Sequence, residues 1–194
     1  MATTQTSSPT TTLAPTTTEL PPTTSTTEPV STTQATAVRA FDFDVPFTAA
    51  IPAEWRIASE SSRRILYLER GSSIIVFSTY GPETVEEWRT TLTGEAGLVS
   101  SEPTEAPIDG AAGFWLDVSL SEEATNEGCF GTDPCVVLIS DAQGWVVFEG
   151  FPNRIWVVDV EGEVVFIAAE AAEGQFADVV AEVEALLATL TWNP

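Results

Sequence analysis

Between Phe41 and Ile51 the chain reads "FDFDVPFTAAI", with Phe41, Phe43, Val45, Phe47, Ala49 and Ile51 at every second position. A period of two predicts a strand buried on one face, and Pro46, which cannot donate to a ladder, predicts that the strand lies at a sheet edge. "RILYLER" and "SSIIVFSTY" follow, separated around Gly71, and are expected to pair as an antiparallel hairpin. Further strands are expected at "GFWLDVSL" (113–120), "CVVLIS" (135–140), "WVVFEG" (145–150) and "RIWVVDV" (154–160). "EVVFIAAEA" (163–171) closes a last hairpin about the Glu161-Gly162 turn.

Two stretches carry a helical period instead. In "TVEEWRTTL" Thr84 and Glu87 have the spacing of a capping box, and Val85, Trp88 and Leu92 fall on one face. In "FADVVAEVEALLATL" Phe176, Val179, Val180, Val183, Leu186, Leu187 and Leu190 form an apolar stripe that has to lie on something, and a sheet is the surface on offer. The pattern therefore predicts an α+β fold, a mostly antiparallel β-sheet with helices packed on its faces.

The N-terminal residues change the picture. Residues 1–38 hold 16 Thr and 5 Pro with no aromatic residue, whereas all 6 Trp and 10 Phe lie in 39–194. The first segment has too little apolar surface to offset the entropy of ordering its backbone, so it is expected to be a disordered, extended stalk before a single folded domain at 39–194. Met1 leads into "ATTQTSSP" with no apolar signal region, and a Thr/Pro stalk at this point is what remains after a secretory or lipoprotein leader has been cut. A lipid anchor upstream of residue 2 fits that reading. No apolar run reaches the length needed to span a bilayer.

Against 29 acidic residues stand 7 basic ones, all Arg. Nucleic acid and anionic membrane surfaces are poor partners for such a chain, because both require cationic groups. The acid either solvates the surface or recruits a cationic partner. Histidine is absent, which removes the usual general base of Ser-His-Asp and Cys-His mechanisms, and the lack of Lys excludes Schiff-base chemistry and a P-loop lysine. Two Cys without His cannot close a four-ligand zinc site, and no residue set implies a cofactor.

Cys129 and Cys135 flank "FGTDP", whose turn residues fold the intervening segment back and make a small disulfide ring sterically reasonable. The spacing is not that of a redox pair, so a structural bond in an oxidising compartment is expected. Paired carboxylates at Asp42 and Asp44, and at Asp159, Glu161 and Glu163, keep open a small acidic hydrolase, although neither group shows the segregation of environments that such catalysis needs.

"FTAAIPAEWRI", "PIDGAAGFWLDV" and "FADVVAEVEALLATLTW" resemble the opening, the central turn and strand, and the closing helix of PsbP-like and LpqN-like domains, over residues 41–192. The resemblance implies an antiparallel sheet sandwiched by helices, an extracytoplasmic setting and a non-enzymatic adaptor or binding role. The Cys129–Cys135 loop and the absence of Lys depart from those families.

The function expected from the sequence is therefore an envelope-tethered or secreted binding or accessory domain, acting on an envelope protein or a small ligand. A hydrolase and a purely structural envelope component are the alternatives. Phe130, inside the cysteine ring, either presents an aromatic tip to a partner or anchors the loop, and Trp145, after the turn "DAQG", is expected to share the same rim.

Overall fold

A computed structural model describes residues 37–126, 129, 133–139 and 145–194, without the side chains of 60–62. The expected stalk lies outside these residues up to 36, and so does Phe130. The first strand, β1 (Ala37–Phe41), takes in the last two positions assigned to the stalk.

The Phe-rich alternation is not one strand. It is a hairpin of β1 and β2 (Phe47–Ile51), in register from Ala37 opposite Ile51 to Phe41 opposite Phe47. Pro46 stands just outside β2, where it costs no ladder bond, and its carbonyl accepts the Asn193 N–H at 2.7 Å. The edge position expected from Pro46 is thereby overturned, since β2 pairs with β1 on one side and with the terminal β13 (Thr191–Trp192) on the other. Asp42 and Asp44, expected on one strand face, lie between the strands instead. Asp42 faces Arg63 at 3.2 Å and Asp44 faces Arg64 at 3.5 Å, tying this turn to the next hairpin.

The remaining strands are β3 (Arg56–Ser62), β4 (Ile65–Arg70), β5 (Ser73–Ser78), β6 (Leu98–Ser100), β7 (Thr104–Glu105), β8 (Ala112–Leu120), β9 (Cys135–Val137), β10 (Val146–Phe148), β11 (Asn153–Val160) and β12 (Glu163–Glu170). Their main sheet runs β3-β4-β5-β12-β11-β8-β6, antiparallel throughout among the described residues, with β7 also on β8. Helices α1 (Val85–Gly94) and α2 (Phe176–Leu187) complete the fold. The expected hairpins at Gly71 and at Glu161-Gly162 both form. In the second, φ is 56° at Glu161 and 95° at Gly162, as a type I′ turn requires, and Asp159 Oδ1 accepts the Gly162 N–H at 2.7 Å.

Both faces of the main sheet are covered, which is why its central strands read as unbroken apolar runs such as "IIVF" and "VVFIAA". Val158, Val165, Ile167 and Ala169 face α2 and the small β1-β2-β13 sheet, in one core with Val179, Val183, Leu186 and Trp192. Val157, Phe166 and Ala168 face the other way, toward Trp88 and Leu92 of α1 and Val147 of β10. The capping box closes as expected, with Thr84 Oγ1 accepting the Glu87 N–H and Glu87 Oε2 accepting the Thr84 N–H, both at 3.1 Å. Each Val or Leu that α2 buries stabilises the domain by about 2 kcal/mol.

Candidate functional site

β10 ends in "FEGFP", and the chain turns there rather than continuing. The Phe151 N–H donates to the Phe148 carbonyl at 3.3 Å, and Gly150 at the third position has φ +76°. Those are the marks of a type II turn, which favours Gly at that position because a side chain would be strained. The turn leaves Phe148 and Phe151 on either side of it, next to Pro152. The start of α2 brings Phe176 to the same place, and the end of β8 brings Leu120. Together they line a groove of about 380 Å³, with Glu149 and Glu173 as exposed acidic flanks. Phe148 is 36% exposed, the one aromatic side chain among the described residues to stand out in this way.

The disulfide is anchored on the strand next to Phe148. Cys129 and Cys135 are bonded, with Cα atoms 6.0 Å apart, and Cys135 is the cross-strand partner of Phe148. The Cys135 N–H donates to Thr125 at 3.0 Å and the Ser121 N–H to Gly97 at 2.8 Å, so the acidic connection after β8 is tied down at both ends. Phe130, expected at the tip of this ring, falls outside the described residues.

Trp145 is not on a rim. It is 4% exposed, its indole N–H donates to Asn153 Oδ1 at 3.1 Å, and its ring stacks on Tyr67 at 6.4 Å. Packing against the sheet face that also carries Val157 and Phe166 explains the correction, because "GWVVF" places Trp145 and Val147 on the inner side of β10. Trp145 is thus a core residue, tied to the groove's turn only through Asn153. Its partner Asn153 is fully buried and donates to the Phe151 carbonyl at 2.9 Å, which fixes the turn.

Asn153 also donates to Glu170 Oε2 at 3.4 Å. Burial pushes the Glu170 carboxyl up to about 7, with the Asn153 hydrogen bond opposing the shift. Nothing in "AAEAAEG" distinguishes Glu170 from a surface acid, so sequence reasoning missed it. The groove itself had a faint signal, two Phe straddling a Gly turn and followed by Pro.

Of the carboxylates that keep a hydrolase open in the sequence, Asp42, Asp44 and Asp159 hold structure together. Asp42 and Asp44 meet Arg63 and Arg64, and Asp159 caps its hairpin, while Glu161 sits in that turn. Six of the seven Arg are engaged with carboxylates: Arg56, Arg63, Arg64, Arg70, Arg89 and Arg154. Most of the acidic surface is therefore uncompensated. Among the described residues no group of acidic, Cys or His side chains is placed to hold a metal, and no helix is long and apolar enough to cross a membrane.

No family model matches the sequence, and no curated protein does. Among solved structures the chain is similar to cyanobacterial PsbP (CyanoP) from Synechocystis sp. PCC 6803, at 9% identity over 76% of this chain and 86% of that one, with a TM-score of 0.44. It is similar also to LpqN, involved in cell envelope biogenesis of Mycobacterium tuberculosis, at 14% identity over 85% and 88%, with a TM-score of 0.42. A crystal structure from Bacteroides thetaiotaomicron VPI-5482 matches at 11% identity and a TM-score of 0.42 over 76% of this chain, which spans 45% of that protein. PsbP and LpqN are the two proteins whose families the sequence resembles.

Proposed function

We propose that this protein is an extracytoplasmic accessory module that works by contact rather than catalysis, held on the N-terminal Thr/Pro stalk, with the folded domain beginning at β1 (Ala37). Its contact surface is the groove of Phe148, Phe151 and Phe176, beside the strand that carries Cys135. Exposure of Phe148 carries this reading: an aromatic ring left 36% open beside a groove, in a domain that buries its other described Phe and Trp side chains more deeply, is a cost to solubility that a partner relieves. The disulfide supports an oxidising compartment.

A photo-crosslinking side chain placed at Phe148 in the native cell should give discrete adducts. The same group at Val99, a still more open apolar position on β6 at 57% exposure, should give none of them. Identical adducts from both positions, or none from Phe148, would refute the assignment.

A further inference from the structure

A second cleft, sharing no residue with the aromatic groove, opens between the C-terminal turn of α2 and the segment that leads into β8. Its volume is about 350 Å³, within the range of small-ligand sites. Trp115 and Trp156, directly opposite one another on β8 and β11, line it together with Ile108 and Leu187, and Asp109 and Glu184 supply its charged groups. We propose that this cleft binds a small organic cation with an apolar shell, of the quaternary ammonium type.

Three observations lead to that chemistry. Arg154, the nearest cation, is already committed: it forms a fork with Asp117 at 2.7 and 2.9 Å, reaches Glu184 at 2.8 Å, and lies 3.9 Å from the Trp115 ring centroid. Arg154 thus covers one face of the Trp115 ring, and the carboxylates around it, Asp109, Asp117 and Glu184, outnumber that cation. Asp109 is held in place before any ligand arrives. It has φ +48°, a backbone region that a non-Gly residue occupies at some cost, and its Oδ2 accepts the Trp192 N–H at 2.8 Å while the Trp192 indole donates to the Ile108 carbonyl at 3.0 Å. An anion would meet two carboxylates at this site. A bare ammonium would lose more hydration than two partly solvated carboxylates return, whereas a quaternary ammonium is weakly hydrated and its methyl groups can lie against indole, Ile108 and Leu187.

Choline serves as the probe, and its uncharged carbon isostere 3,3-dimethylbutan-1-ol as the control of equal shape. In ¹H–¹⁵N spectra of the full chain, choline should shift the indole resonances of Trp115 and Trp156, identified by Trp115→Phe and Trp156→Phe, and leave that of Trp88 in place. The isostere should bind at least about tenfold more weakly, the factor that a single cation–π contact with partial desolvation supplies. Asp109→Asn, which keeps the acceptor for Trp192 and tolerates the left-handed backbone, and Glu184→Gln should each weaken choline several-fold with unchanged thermal stability. Equal binding of choline and the isostere would overturn the proposal, leaving a merely apolar cleft. So would tighter binding of a neutral methyl glycoside, or indole resonances that stay fixed up to decimolar choline.

Discussion

Glu170→Gln isolates the energetic consequence of burying a carboxyl between β11 and β5. Glu170 is 7% exposed, with Asn153 opposite it on β11 and Ile74 opposite it on β5. Burial raises its pKa from an ordinary 4.5 to about 7. Between those values the folded chain keeps a proton that the unfolded chain has released, so the free energy of unfolding falls as pH rises. The contribution is complete below pH 4.5 and gone above about pH 7. At about 1.4 kcal/mol per pH unit, the interval is worth about 3 kcal/mol. Gln keeps the shape and an acceptor for the Asn153 amide but carries no charge. In urea titrations from pH 4 to 8.5 the two proteins should be nearly equal at the acid end, and Glu170→Gln should become more stable by about 3 kcal/mol at the basic end. Self-repulsion of the other acids affects both proteins alike and cancels in the difference. Parallel curves across the whole range would show that Glu170 ionises without penalty, and the assignment of burial as the cause would fall.

Gly113 lies where β8 crosses close to β11, and a Cβ there would run into the Val157 carbonyl and the Val158 backbone. Gly113→Ala should therefore lower stability by about 3 kcal/mol in urea melts, and a loss within experimental error would contradict the close approach. Intact mass under non-reducing conditions should show two hydrogens missing, and replacing both Cys129 and Cys135 by Ser should cost about 2 kcal/mol, the loop-closure value for so short a ring. Thr84→Ala removes the cap of α1 and should cost about 1 kcal/mol, with Glu87→Ala adding little more because the box is reciprocal. Brief protease treatment should remove the Thr/Pro segment that precedes β1 (Ala37) before cutting the domain; cleavage inside the domain with the N-terminal segment intact would refute the stalk.

Periodicity along the chain was enough to place the two helices, the cap at Thr84, and the hairpins at Gly71 and Gly162, because each depends on side chains within a few residues of one another. It also carried the two-sided burial of the main sheet, since runs such as "VVFIAA" offer apolar side chains to both faces. Where the Phe41–Ile51 alternation was misleading, the reason is local as well: Phe41, Phe43, Val45 and Phe47 are all buried, and burial at every second residue persists through the bend between β1 and β2. What only the tertiary structure decided is which distant segments meet. β5 pairs with β12 across 88 to 96 residues, β13 closes the small sheet against β2, and Leu120, Phe148, Phe151 and Phe176 converge on one groove from β8, β10 and its turn, and α2. Trp145 was drawn inside and Glu170 desolvated by the same convergence. A sequence pattern states which face of an element must be covered, but the covering partner is chosen by closure of the whole chain, and no short-range signal records that choice.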